Sequence, residues 1–153
     1  MLHVALLEPE IPPNTGNIAR LCAATGCVLH LVGRLGFRID DKQLKRAGLD
    51  YWHAIDIRLH DTLEAFERSL DDDSRIFCLS ARATRYHTSV KYRAGDVLLF
   101  GPESRGLPVE VLERHAERTL AIPMPGSGVV RSLNLSTAAG IVVYEALRQL
   151  HGW

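Results

Sequence analysis

Cysteine is scarce in this sequence: Cys22, Cys27 and Cys78 are the only three, and no two of them form a C-x-x-C pair. An odd, scattered set excludes a secreted disulfide framework and fits a reducing compartment, where such residues act as small buried hydrophobes. Long hydrophobic runs are missing too. No stretch approaches the roughly 18 apolar residues of a membrane span, and the opening MLHVALLEPE has no basic leader region. A cytoplasmic protein with no membrane partner is expected. Net charge is absent, with 18 Lys+Arg against 18 Asp+Glu, which excludes holding nucleic acid by a bulk positive field but leaves room for a local basic patch.

Several common ligand signatures are also lacking. No G-x-G-x-x-G or G-x-x-x-x-G-K-[ST] occurs, so neither a dinucleotide fingerprint nor a P-loop is present. Ser104 in GPESRG sits one place too late for the nucleophile elbow of hydrolases. The 7 histidines show no H-E-x-x-H or paired Cys/His spacing, so no metal is expected and most are read as surface or capping residues.

What the 153 residues do hold is the composition of one globular domain, 46% hydrophobic and 24% charged, of a size that buries roughly two thirds of its unfolded surface. Short apolar runs at Val4–Leu7 and Val28–Val32 read as buried strands. Between them Pro12-Pro13 leads into NTGNIARLCAATG, a helical pattern stopped by Gly26. The alternation continues with a helix near 62–70, strands at 75–80 and 96–100, a short helix after Pro108, a strand at 119–122 and a helix at 135–150. This order predicts an α/β domain with a mostly parallel sheet and helices on both faces. The last helix carries Ala138, Ala139, Ile141, Val142, Val143, Ala146 and Leu147, an arc wider than one amphipathic stripe, which favours packing of one face against a second subunit.

Charge is segregated although it sums to zero. Arg34, Arg38, Lys42, Lys45 and Arg46 form one basic segment, and Arg82, Arg85, Lys91 and Arg93 form another with Tyr86, His87 and Tyr92 interleaved. Basic residues mixed with aromatics suit phosphates and stacked bases, and a solvated surface would look the same. Three unusual loops each follow a predicted strand: NTGNIAR, GPESRGLP and PMPGSGVVRSLNLS. In open α/β sheets ligands bind beyond the carboxyl ends of the strands, so these loops are expected to share one site. Gly101, Gly106, Gly126 and Gly128 allow close backbone approach, and the prolines fix the path. Ser136 is read as the cap of the last helix, leaving Ser132 and Asn134 to bind.

Through EPEIPPNTGNIARLCAATG, DDKQLKRAGLDYW, FGPESRGLP and RSLNLSTAAGIVVYEALRQ, in that order, the chain resembles the SPOUT superfamily of RNA methyltransferases. The resemblance is to its minimal SpoU-type members, which methylate the ribose 2′-hydroxyl of the tRNA wobble nucleotide, cytidine or modified uridine. It implies one SPOUT domain over residues 1–153 without an RNA-binding extension, a C-terminal trefoil knot, a homodimer and S-adenosylmethionine as cofactor. Leu79, Gly101, Ile122, Met124, Ser132 and Leu133 would line the cofactor pocket. The segment PGSGVV before Arg131 is longer and richer in glycine than the family pattern.

The same resemblance makes Arg20 the catalytic arginine and matches Asn14, Glu103, Ser132 and Asn134 to motif positions. A guanidinium with a pKa above about 12 is a poor base. Arg20 is therefore expected to orient and polarise the ribose and its phosphate, with a phosphate or Tyr144 helping to move the proton. Lys42, Lys45, Arg46, Arg82 and Arg85 are the expected contacts to a tRNA anticodon stem-loop. The alternatives are a ribosomal RNA target, or a non-catalytic nucleotide-binding or RNA-binding dimer.

Overall fold

The computed structural model describes residues 1–40, 42, 46 and 49–153. Its strands are β1 (His3–Leu7), β2 (Val28–Val32), β3 (Ile57–His60), β4 (Ile76–Leu79), β5 (Val97–Phe100) and β6 (Thr119–Leu120). They form one sheet in the order β3-β2-β1-β5-β4-β6, and every neighbouring pair is parallel. The helices are α1 (Pro12–Thr25), α2 (Leu63–Arg68), α3 (Val109–Arg114) and α4 (Leu135–His151), with short 3-10 segments at Leu49–Ala54, His87–Ser89 and Ala116–Arg118. The expected parallel α/β architecture is present. No described helix is long and apolar enough to cross a membrane.

Both faces of the sheet are covered, which is why strands such as VLHLV and VLLF are apolar throughout rather than alternating. On one face Val4, Leu6, Leu29, Leu31, Leu98 and Phe100 pack against Ile18, Ala19 and Cys22 of α1 and Ala139, Val142, Val143 and Ala146 of α4. On the other, Ala5, Leu7, Val32, Val97 and Leu99 meet Phe66 of α2 and Val111 of α3. Phe66 is the one buried residue that α2 contributes, and truncating such a ring to alanine costs about 3–5 kcal/mol.

Local chemistry sets the helix ends. Pro12 and Pro13 open α1, where their missing N–H groups would have had no helical acceptor. Gly26 closes it in the left-handed region at φ 71°, donating its N–H to the Cys22 carbonyl at 2.9 Å. Along α4, Leu135, Ala139, Val142, Val143, Ala146 and Leu147 are buried, whereas Ile141 and Tyr144 stay 38% and 50% exposed. Of the seven residues of the apolar arc, Ile141 alone is exposed. Strand β3 escapes the sequence reading because in IRLH, at the sheet edge, Ile57 and His60 are only half-buried, Arg58 and Leu59 are exposed, and no apolar run is offered.

The histidines correct the expectation of surface and capping roles. His30 is 1% exposed and His87 6%. His3, His30 and His60, on β1, β2 and β3, form a hydrogen-bonded ladder, with His3 Nδ1 to His30 Nε2 at 2.9 Å and His30 Nδ1 to His60 Nε2 at 2.9 Å. Each link needs one N–H and one lone pair, so neutral rings satisfy both links when their tautomers run in one direction. Phe66 packs edge-on against His30 and His60. Beside His3, whose backbone N–H donates to the Asp96 carbonyl at 2.9 Å, the Asp96 side chain is fully buried and accepts from Arg75 Nε at 2.8 Å, Arg75 Nη2 at 2.6 Å and the Arg93 backbone N–H at 2.8 Å. Losing one partner of such a pair costs about 3–5 kcal/mol.

Burial, followed by the neighbouring rings and Arg58, pushes the His30 imidazole down to about 3, and burial also lowers His3 and His60. The unfolded chain takes up protons below pH about 6.5 while the folded ladder resists them, so stability is complete above that pH and declines as pH falls toward the folded values. The melting temperature should accordingly drop on acidification, and His30→Phe should flatten that dependence. An equal acid slope in both proteins would show that the ladder is not its source.

Candidate active site

Because every strand is parallel, the segments after β1, β4, β5 and β6 all leave the same edge of the sheet. Adjacent strands put adjacent loops side by side, so the loop after β1 meets the loop after β5. Two acidic residues join them. The Glu10 backbone N–H donates to Glu103 Oε2 at 2.7 Å, and Glu10 Oε1 accepts from the Ser104 N–H at 3.1 Å and the Ser104 hydroxyl at 2.7 Å. Those Ser104 bonds hold the Glu10 carboxyl below the usual carboxylate range. Glu8, at φ 46°, adds an ion pair to Arg105 at 3.8 Å.

The loop after β5 doubles back on itself. A Cβ on Gly101 would lie 2.3 Å from the backbone of Gly106 and Leu107, so only glycine permits this crossing. The Gly106 N–H donates to the Pro102 carbonyl at 2.8 Å and closes the turn. Glu103 Oε1 is buried and finds no hydrogen-bond partner among the described residues.

The third loop is tied to the first. Asn134 Nδ2 donates to Asn14 Oδ1 at 3.0 Å, across 120 residues of sequence. The sequence expectation that Ser136 caps α4 is corrected here: Asn134 is the N-cap, its Oδ1 accepting from the Ser136 N–H at 2.9 Å, the Ser136 hydroxyl at 2.6 Å and the Thr137 N–H at 3.3 Å. Asn134 thus caps one helix and fixes the side chain of another with a single amide.

Of the residues expected to act, Asn14 is buried in the first turn of α1 and Arg20 is exposed two turns further on. Ser132 is exposed in the loop before α4, and Tyr144 lies on the outer face of α4. Of the expected cofactor residues, Leu79 and Ile122 are partly buried against the core beside β4 and β6, Gly101 and Leu133 are partly buried, and Met124 is exposed. Side by side, the ends of β5, β4 and β6 place Gly101, Leu79 and Ile122 along one rim. Among the expected RNA contacts Lys42, Arg46 and Arg82 are exposed, and Lys45 lies outside the described residues. Arg85 is exposed but tied down, donating to the Glu117 carbonyl at 2.8 Å and to Ser89 Oγ at 3.3 Å. Arg93 of the same segment donates to the Asp73 carbonyl at 2.6 Å. Part of that basic segment therefore serves the fold.

Glu10 and Glu8 were not singled out from the sequence. The available signal was an acid directly before a helix whose cap position, Ile11, has no capping side chain. A separate cleft of about 430 Å³ opens beyond Glu8, lined by Arg34, Asp61, Thr62, Glu64 and Glu110 among others, and holds none of the expected cofactor residues. Among the described residues no group of three or more His, Cys, Asp or Glu side chains is arranged to hold a metal ion.

Residues 1–144 match the SpoU rRNA Methylase family. The chain is 54% identical over 155 residues to a protein of Yersinia pestis named tRNA (cytidine(34)-2'-O)-methyltransferase, with 98% of this chain and 94% of that protein covered. It superposes with a TM-score of 0.95 and 55% identity on a solved structure described as giving structural insights into the 2-OH methylation of C/U34 on tRNA, covering 100% of this chain and 98% of that one. An AdoMet bound rRNA methyltransferase from Sinorhizobium meliloti is similar at TM-score 0.85 and 32% identity, covering 97% of this chain and 56% of that one.

Replacing Asn134 by alanine removes the α4 cap and should cost about 0.5–2 kcal/mol, lowering the melting temperature by roughly 2–4 °C per kcal/mol. Asn134→Asp keeps the accepting oxygen but cannot donate to Asn14, so it should recover most of that loss. An alanine variant that melts like wild type would contradict the capping role.

Proposed function

The chain belongs to the SpoU rRNA methylase family, and we propose that it transfers a methyl group from S-adenosylmethionine to the ribose 2′-hydroxyl of the wobble nucleotide, cytidine or uridine, in a tRNA anticodon. The observation that carries this reading is the convergence of three carboxyl-end loops through the Asn14–Asn134 bond and the Glu10, Glu103 and Ser104 contacts. The residues present suit the cofactor: Leu79, Ile122, Met124 and Leu133 give apolar surface for an adenine and a methionine chain. Gly101 and Ser132 leave backbone within reach, and Glu103 Oε1 is a buried acceptor without a protein donor among the described residues. When bound, the sulfonium supplies an electrophilic methyl group.

The chain's own part is alignment. Arg20, exposed on α1, orients the ribose and its phosphate and polarises the hydroxyl. Asn14 and Asn134 hold the starts of α1 and α4 in register, and Glu103 orders the loop that carries Gly101. A phosphate of the RNA or Tyr144 takes part in removing the proton.

Two larger features belong to the same reading. The C-terminal segment passes through a loop to form a trefoil knot. Supporting this, 119–121 is laced to 80–87 by Ser80 N–H to Leu120 O at 3.0 Å and Ala121 N–H to Arg85 O at 2.8 Å. Further along, Gln149 of α4 docks on the strand-like 90–92 segment through Tyr92 N–H at 3.0 Å and Val90 O at 3.1 Å. The protein acts as a cytoplasmic homodimer, with exposed Ile141 and Tyr144 of α4 at the subunit contact. A dimer brings Lys42, Arg46, Arg82 and Arg85 into one surface for an anticodon stem-loop whose unpaired bases can be splayed out.

Arg20→Ala should abolish methyl transfer to tRNA while S-adenosylmethionine binding and the melting temperature stay near wild type; loss of folding instead would defeat the role given to Arg20. Binding of tRNA should weaken steeply with added salt, because several phosphate contacts release counterions. A flat salt response would count against the basic segments as the RNA surface.

A further inference from the structure

The bonds between Glu10 and the loop after β5 form a closed ring between residues 93 and 94 positions apart in sequence. Glu10 gives its backbone N–H to Glu103 and takes both donors of Ser104 on one carboxylate oxygen. Each loop is thereby fixed by the other, and the ring stands directly before α1. That position matters because α1 lacks a capping side chain at Ile11, and Pro12 and Pro13 take away two N–H groups from its first turn. Together with the packing of Ile18, Ala19 and Cys22 on the sheet, the direction of α1 is fixed by the Glu10 ring, by the Gly36 N–H bond to the Pro9 carbonyl at 2.9 Å and by Asn14 with Asn134. Arg20 rides on this helix. Glu103 and Gly101 ride on the loop at the other side of the ring.

We propose that Glu10 is a positioning residue for methyl transfer: through Ser104 it registers α1, with Arg20, against the loop that carries Gly101 and Glu103. The inference rests on the methyltransferase reading given above. Glu10 touches neither reacting atom. Its bonds are polar and lie at the partly exposed end of the sheet, where such contacts add little to global stability. Their loss therefore shows in the alignment of the reactants, and a displacement of about 1 Å can cost up to roughly 100-fold in rate.

The test is a double-mutant cycle with Glu10→Ala, Ser104→Ala and the double variant, alongside Glu10→Gln. Each protein is assayed for kcat and KM with tRNA, S-adenosylmethionine binding, melting temperature and amide exchange. Glu10→Ala should lower kcat by roughly 10- to 100-fold with KM, cofactor binding and melting temperature close to wild type. Glu10→Gln keeps an amide oxygen able to accept both Ser104 bonds and should restore most of the rate. The double variant should be no worse than Glu10→Ala alone, as expected for two residues sharing one interaction. Amides of 101–107 and of the first turn of α1 should exchange faster in Glu10→Ala. An unchanged kcat, a Glu10→Gln variant as slow as alanine, or rate losses that multiply would overturn the proposal. Should wild type methylate no RNA, the methyltransferase reading falls, and the exchange comparison decides the positioning role by itself: unchanged exchange overturns it and faster exchange in both segments supports it.

Discussion

Parallel strand order is the constraint on which the rest of this molecule depends. A parallel pair cannot be joined by a tight turn, so each strand is followed by a crossover, and all carboxyl ends fall on one edge. With β1, β5, β4 and β6 adjacent, residues from the first and last quarters of the chain meet there. Asn14 and Asn134 touch although 120 positions separate them, and Glu10 meets Ser104 across 94. The site is a product of topology before it is a product of any single motif.

The two ends of the sheet are stabilised differently. Toward the amino ends of β4 and β5, Asp96 is buried and held by Arg75, and nearby β1 begins the histidine ladder that crosses to β3. Asp96 and His30 are enclosed, and disturbing them costs folding energy. The carboxyl end is held by hydrogen bonds between partly exposed loops, which are cheaper to break and more specific in direction. Such an end can be shaped by a ligand while the core stays fixed.

Much of the fold was legible in the sequence. Uninterrupted apolar strands required a sheet covered on both faces, and the proline entry and glycine exit of α1 appear where expected. Strand β3 was missed because its exposed Arg58 and Leu59 leave no apolar run to read. The histidine ladder was missed because its pairing depends on register: Ala5 opposite His30 and Val32 opposite His60 put rings from three strands on one face, and no spacing along one strand reveals that. Asn14, Glu103 and Asn134 were picked out by motif, yet the capping role of Asn134 and the whole Glu10 contact needed coordinates, since both are set by where a distant loop arrives. Arg85 reads as an RNA contact and Arg93 as part of the same basic segment, but part of their hydrogen-bonding capacity is spent on backbone carbonyls.

Methyl transfer asks little of a protein beyond holding a nucleophile and an electrophilic methyl group in line, and a site built from interlocked loops supplies that. The most direct measurement uses a tRNA whose wobble nucleotide alone carries a 2′-deoxyribose, compared with the same tRNA bearing the hydroxyl, both incubated with labelled S-adenosylmethionine. The hydroxyl-bearing tRNA should take up label at that nucleotide, and the deoxy tRNA should bind with similar affinity and take up none. Equal labelling of the two would contradict transfer to the wobble ribose.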